Sequence, residues 1–102
     1  MQLNDLRSKI SDLPKNPGIY VFKDLKGKPL YIGKAIDLKS RVSAYPKSTD
    51  TRIIRMIEIA TKLEYQVTDS DIEALILESQ LIKKHQPQFN IIMRDDKQYF
   101  LV

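Results

Sequence analysis

Two tyrosines, a lysine, an arginine and one misplaced carboxylate are the groups in this sequence that could do chemistry together. Tyr20 closes the tripeptide Gly18, Ile19, Tyr20, and Tyr31 opens Tyr31, Ile32, Gly33, with Lys34 directly after. β-Branched and aromatic residues on both sides of the turn-forming stretch DLKGKP predict a hairpin. With an even loop, paired positions sum to an odd number, so positions 20 and 31 share a face, opposite or diagonal to each other. Two phenols then stand together on a sheet, an arrangement that aromatic packing alone would also produce.

Lys34, Arg41 and Tyr45 are separated by seven and four residues. A helix beginning near residue 35 places Arg41 and Tyr45 on one face, with Lys34 at its entrance. A solvated basic helix face is the plain alternative. Glu78 lies three beyond Leu75 and four before Ile82, so it interrupts an apolar stripe through Ile72, Leu75, Ile76 and Ile82. A carboxylate facing a core is costly unless it is paired or binds a cation. A salt bridge to Arg41 or a lysine and a metal-ligand role both satisfy it.

Together these groups suit phosphodiester hydrolysis. A hard divalent cation on Glu78 would polarise a phosphate and stabilise the leaving oxygen. Arg41 would neutralise charge building on the phosphoryl oxygens. A phenol, with an ordinary pKa of about 10, is a poor base at neutral pH. A cation such as Lys34 nearby would lower that value and make it usable. The single histidine, His85, sits at a helix end and reads as a surface or capping residue, so a histidine-based triad has no support.

These groups need a scaffold, and 102 residues allow one domain with one core. The absence of cysteine removes disulfides, thiolate zinc sites and a cysteine nucleophile. No apolar segment could span a bilayer, and the N-terminus has no signal-like core, so the expected address is the cytoplasm. The formal charge of +4 is unevenly spread: residues 1–33 carry six basic and three acidic groups, residues 34–62 seven and three, and residues 63–102 four and seven. A basic bias over the first two-thirds suits a polyanion.

The predicted elements are a helix over 2–13, a strand over 18–23, a strand at LYIG and a helix through AIDLKSRVSAY with Asp37 as cap or first-turn acid. A helix from about residue 50 to 62, with Ile53, Ile54, Ile57 and Ala60 on one face, a strand at LEYQVT and a helix over 70–85 follow. Ser70 and Glu73 form a capping box for that last helix, and Pro87 ends it. The tail FNIIMRDDKQYFLV reads as loop and short extended pieces. The fold class is α+β, a small, mainly antiparallel three-stranded sheet flanked by helices.

GIY and YIGK, with eleven residues from the first tyrosine to the second, LKSRVSAY, DSDIEALILESQLIKKHQPQFNI and RDDKQY together resemble the GIY-YIG nuclease superfamily, closest to the N-terminal catalytic domain of UvrC proteins. The resemblance covers residues 13–99 of a single domain over 1–102 and departs from the family in the short PKSTD segment. It implies a domain excised from a longer protein and a metal-dependent DNA endonuclease making the 3′-side incision of nucleotide excision repair. It implies Tyr20, Tyr31, Lys34, Arg41, Tyr45 and Asn90 as catalytic, Glu78 as the one ligand of a single Mg²⁺ or Mn²⁺ ion, and Lys34, Lys39 and Arg41 as DNA-binding. Asn90, in the loop after the last helix, would order the site. Implied partners are DNA and, through regions absent here, UvrB-type repair proteins; the isolated domain is expected to be monomeric. A stand-alone endonuclease of this superfamily and a non-catalytic nucleic-acid-binding module are the alternative readings.

Overall fold

The computed structural model describes residues 1–97, with side chains as far as Met93. Helix α1 (Leu3–Ser11) leads into strand β1 (Gly18–Lys23) and strand β2 (Pro29–Ala35). Helix α2 (Leu38–Val42), a 3-10 turn (Tyr45–Lys47) and helix α3 (Thr51–Ile59) precede strand β3 (Lys62–Val67). Helices α4 (Asp71–His85) and α5 (Gln88–Lys97) follow. The sheet order is β2-β1-β3, with β1 antiparallel to both neighbours. This is the expected α+β sheet flanked by helices.

The hairpin turns at Gly27, whose φ of 82° lies in the left-handed region that glycine enters without a Cβ penalty. Asp24 accepts from the main-chain N–H of Lys26 and Lys28 and so closes the turn. In the β1–β2 register Tyr20 faces Gly33, and Phe22 faces Tyr31. The tyrosines are therefore diagonal neighbours on one face, as the odd pairing sum requires, with ring centroids 6.3 Å apart.

Each sheet face has its own cover. On one face, Tyr20, Phe22, Tyr31 and Ala35 pack with Leu6 and Ile10 of α1, Leu38 and Val42 of α2, Met56 and Ile57 of α3, and Phe89 of α5. On the other, Ile19, Val21 and Ile32 lie beneath Leu77, Leu81 and Ile82 of α4. The packing side of α4 thus runs through Ala74, Leu77 and Leu81, while Ile72, Leu75 and Ile76 of the expected apolar stripe are exposed. So many apolar residues surround this helix that spacing alone does not decide which side is buried.

Three further expectations are corrected. Strand β2 runs on to Ala35, which displaces the following helix, so α2 begins at Leu38 with Asp37 as its cap, accepting from the Ser40 N–H. It ends at Val42, and Tyr45 opens a separate 3-10 turn instead of sharing a helix face with Arg41. The tail is not irregular: residues 88–97 form α5, which buries Phe89 and packs Met93, one turn on, against the main core. The part of that tail beyond residue 97 lies outside the described residues. Ser70 does cap α4 by accepting from the Glu73 N–H, whereas the Glu73 carboxylate accepts from the Asp69 N–H. Among the described residues no helix is long and apolar enough to cross a membrane.

Candidate active site

A cavity of about 450 Å³ opens where β2 gives way to α2. Tyr20, Tyr31, Gly33, Lys34, Asp37, Arg41 and Glu78 are among the residues lining it. The sheet supplies the phenols, α2 the arginine and α4 the carboxylate. Five of the residues singled out from the sequence, Tyr20, Tyr31, Lys34, Arg41 and Glu78, therefore meet in one pocket.

Tyr45 contributes from beneath. Its buried hydroxyl is 2.7 Å from that of Tyr20, and the two rings meet edge-on with centroids 5.7 Å apart. Gly33 is the reason the Tyr20 ring fits. A Cβ at position 33 would fall within contact of the Tyr20 hydroxyl and Cζ, so only glycine leaves room for the phenol across the strand.

Burial sets the electrostatics of the phenols. It pushes Tyr20 above its ordinary range, against the opposing hydrogen bonds from Tyr45 and Arg41. Tyr31 is pushed up to about 12, mainly by burial, with the neighbouring Tyr20 and Glu78 adding to the rise. Tyr45 is raised by burial still more strongly. A phenolate stranded in a low-dielectric site is costly, so the hydroxyls stay protonated at neutral pH. Arg41 is shifted the other way in charge terms: its hydrogen-bonding contact with Tyr20 strengthens its hold on its proton.

The expected link between a phenol and Lys34 is replaced by another. Lys34 and Tyr31 are three apart on β2, so their side chains leave opposite faces. The Lys34 ammonium turns toward α4 and donates to Asp71 Oδ1 at 2.9 Å. The cation acting on both pocket phenols is Arg41. Lys39, unlike Lys34, does not line the pocket. It lies two residues from Arg41, on another side of the short helix, and its Nζ donates to the Ser11 carbonyl at the end of α1.

Asn90 lies on α5, not in a loop, and touches the site through the backbone. Its Oδ1 accepts from the Ile32 N–H at 2.7 Å, and its Nδ2 donates to the Ile32 carbonyl at 2.9 Å.

The donor set fits one hard cation with few protein ligands. Glu78 is half-buried in the pocket wall. Asp37, the other acid lining the pocket among the described residues, spends one oxygen on the α2 cap. Among the described residues no group of three or more His, Cys, Asp or Glu could form a protein cage. Magnesium, which keeps most of its water and accepts one or two carboxylates, matches that inventory.

Comparison with known proteins agrees with this architecture. A family model described as the UvrC-like GIY-YIG domain matches residues 16–91. The chain belongs to this family. The UvrABC system protein C of Haloarcula marismortui is 42% identical over 105 residues, which covers 100% of this chain and 18% of that protein. Its counterpart from Acetivibrio thermocellus is 45% identical over 98 residues, covering 93% of this chain and 16% of the relative. The chain therefore spans less than a fifth of the length of these curated relatives. Among solved structures, the GIY-YIG N-terminal endonuclease domain of UvrC from Thermotoga maritima, bound to its catalytic magnesium, superposes with a TM-score of 0.81 at 42% identity. That match covers 87% of this chain and 98% of the other.

Within this UvrC-like domain, sequence reasoning missed Gly33, Asp71 and α5. Gly33 was in view as part of YIG, but its task depends on the phenol across the strand. Asp71 follows the capping Ser70 and passes for an ordinary first-turn acid. The signal for α5 was Phe89 and Met93 at helical spacing, masked by the β-branched pair Ile91 and Ile92.

Proposed function

We propose that this domain is a divalent-metal-dependent DNA endonuclease, the catalytic module for the 3′-side incision of UvrC-type nucleotide excision repair. The observation that carries this reading is one 450 Å³ pocket shared by two phenols, a guanidinium and a half-buried carboxylate. Membership of a family whose solved relative is an endonuclease domain holding catalytic magnesium supports it.

In this proposal Glu78 is the protein ligand of a single Mg²⁺ or Mn²⁺ ion. When bound, that ion supplies Lewis acidity toward the scissile phosphate and positive charge in the pocket. Arg41 binds the phosphate and offsets the charge that grows on its non-bridging oxygens. Tyr31 takes the proton from the attacking water. Tyr20 is less suited to that role because its hydroxyl is engaged by Tyr45 at 2.7 Å and approached by Arg41. With a pKa near 12 in the protein alone, Tyr31 serves as a base only when added positive charge stabilises its phenolate. Water adds to phosphorus, the bond to the 3′ oxygen breaks, that oxygen takes a proton from solvent, and the products carry 5′-phosphate and 3′-hydroxyl ends. Tyr20, held by Tyr45, orients Arg41. Lys34 attracts the DNA backbone at the rim.

The lesion-directed context belongs to a longer protein, as in relatives several times this length. The proposal therefore includes a cytoplasmic setting, a monomeric domain and UvrB-type partners engaged through regions outside this segment.

Nicking of supercoiled plasmid with Mg²⁺ or Mn²⁺ tests the chemistry. The expected result is nicking that disappears with chelator, in Glu78→Gln and in Arg41→Ala. Nicking retained in Glu78→Gln at unchanged metal dependence would remove Glu78 from the reaction.

A further inference from the structure

The sheet has two edges, β2 and β3, and they are treated differently. On the β2 edge, the outward main-chain groups of Ile32 are taken by Asn90 of α5. The β3 edge has no such cover among the described residues. Strand β3 pairs with β1 at every position from Lys62 to Val67 without a register shift, and the Thr68 N–H donates to the Pro17 carbonyl at the end of that ladder. Alternation along an antiparallel ladder then turns the main-chain groups of Glu64 and Gln66 toward β1 and those of Leu63, Tyr65 and Val67 outward. The same alternation turns Ile32 outward on the far edge, where Asn90 meets it. No hydrogen bond among the described residues reaches the outward groups of Leu63, Tyr65 and Val67.

This edge is regular, exposed and apolar on one face. β3 has neither a proline nor a bulge, two devices by which edge strands block pairing. Tyr65 is 46% exposed and Val67 43%. With Leu63 they share the sheet face that carries Tyr20 and Phe22. On the other face, a cavity of about 330 Å³ lies between β3 and α4. Asp69 and Glu73 are its charged lining residues, and Ile76 and Leu77 its apolar ones on α4. From residue 63 to 82 the chain has five acids and no base. Glu64 and Asp71 have lysine partners, Lys23 and Lys34. The negative charge left beside the groove repels DNA and favours a cationic partner.

We propose that the free edge of β3 receives an extended strand from a protein partner, one that alternates apolar residues with lysine or arginine. Main-chain hydrogen bonds to Leu63, Tyr65 and Val67 supply the pairing, and the two faces supply selectivity. Residues of the incoming strand opposite Leu63, Tyr65 and Val67 share their face of the sheet and are the apolar ones. Their neighbours point over the acidic groove beside α4 and are the basic ones. A second copy of the chain fits less well, because antiparallel pairing of β3 with itself brings two acidic grooves together. No described residue of β3 lines the pocket of Tyr31 and Arg41, so this surface is separate from the candidate active site.

The experiment is amide hydrogen exchange, read residue by residue by NMR, with a short synthetic peptide alternating valine and lysine as the probe. In the protein alone, Leu63, Tyr65 and Val67 should exchange fast, and Glu64 and Gln66 slowly. Saturating peptide should slow the first three at least tenfold and leave the other two unchanged. N-methylation of the valine amides, which face β3 in this register, should abolish the effect, whereas N-methylation of the lysine amides should be tolerated. Tyr65→Pro removes an outward donor that β1 does not use and should weaken peptide binding at least tenfold, with Tyr65→Phe near wild type. Asp69→Asn should weaken it about two- to threefold. Exchange at the three amides unaltered by peptide would overturn the proposal, as would equal tolerance of both methylation patterns. Equal protection by a peptide with glutamate in place of lysine would overturn the assigned partner chemistry. Protection that grows with protein concentration alone would give the edge to a second copy instead.

Discussion

Asn90 of α5 pairs with both main-chain groups of Ile32, accepting from its N–H at 2.7 Å and donating to its carbonyl at 2.9 Å. Strand β2 is an edge of the sheet, so groups facing away from β1 have no strand to meet. The side-chain amide of Asn90 stands in for one residue of that missing strand. Ile32 lies between Tyr31 and Gly33, which ties α5 to the geometry of the pocket.

Removing this pairing should therefore act on fold and site together. Asn90→Ala leaves a donor and an acceptor without their partner, which costs about 1–3 kcal/mol. For a domain of this size the expected fall in melting temperature is roughly 4–8 °C for each kcal/mol, read by thermal denaturation. Asn90→Asp keeps the acceptor but loses the donor to the Ile32 carbonyl, so it should not restore stability or nicking. Wild-type melting in both variants would sink the strand-substitute role.

Gly33→Ala should damage the site more than the fold. The added methyl collides with the Tyr20 phenol, whose hydroxyl is bonded to Tyr45. The ring must tilt, at a cost of about 1–3 kcal/mol for overpacking. We expect nicking to fall at least tenfold while circular dichroism stays native. Full activity would mean that the Tyr20 position is not critical.

The arginine depends on a cap. Asp37 accepts from the Ser40 N–H at the start of α2, a helix of only five residues that carries Arg41. Asp37→Ala should cost about 0.5–2 kcal/mol and weaken DNA binding by loosening Arg41. Asp37→Ser restores a cap without the charge. Recovery of DNA affinity in the serine variant, measured by fluorescence anisotropy, separates capping from electrostatics; no difference between Ala and Ser would exclude the cap as the cause.

Alkali should unfold the domain through its phenols. Burial raises Tyr31 from the ordinary 10 to about 12. Between these values the unfolded chain has released the proton and the folded chain has not, so stability falls as pH rises. The stabilising contribution is complete below pH 10 and lost by about pH 12. Tyr31→Phe should show a shallower decline over this window in urea unfolding. An identical slope would mean that Tyr31 is not the buried proton reservoir.

Local patterns carried much of this protein. Strand β1 falls where its β-branched and aromatic residues predict, and Ser70 caps α4 as its spacing to Glu73 suggests. The odd pairing sum puts Tyr20 and Tyr31 on one face because strand alternation has a period of two, but it arises through a register shift between Phe22 and Lys23, not from an even loop. Tyr20, Tyr31, Lys34, Arg41 and Glu78 were recognisable as a set by residue type.

What the tertiary structure decided was where long side chains turn and which helix sides are covered. Lys34 was expected beside a phenol and is paired with Asp71, because its face of β2 meets α4. Tyr45 reaches Tyr20 from a separate 3-10 turn, since β2 extends to Ala35 and shortens α2. The buried side of α4 was misread because apolar residues surround the helix and only the sheet beneath selects among them. Helix α5, with Asn90 on the edge of β2, had only a weak local signal masked by Ile91 and Ile92, since its stability comes from burying Phe89 in a core built by distant residues. Periodicity fixes neighbours within one element, whereas contacts between elements depend on packing that no local window contains.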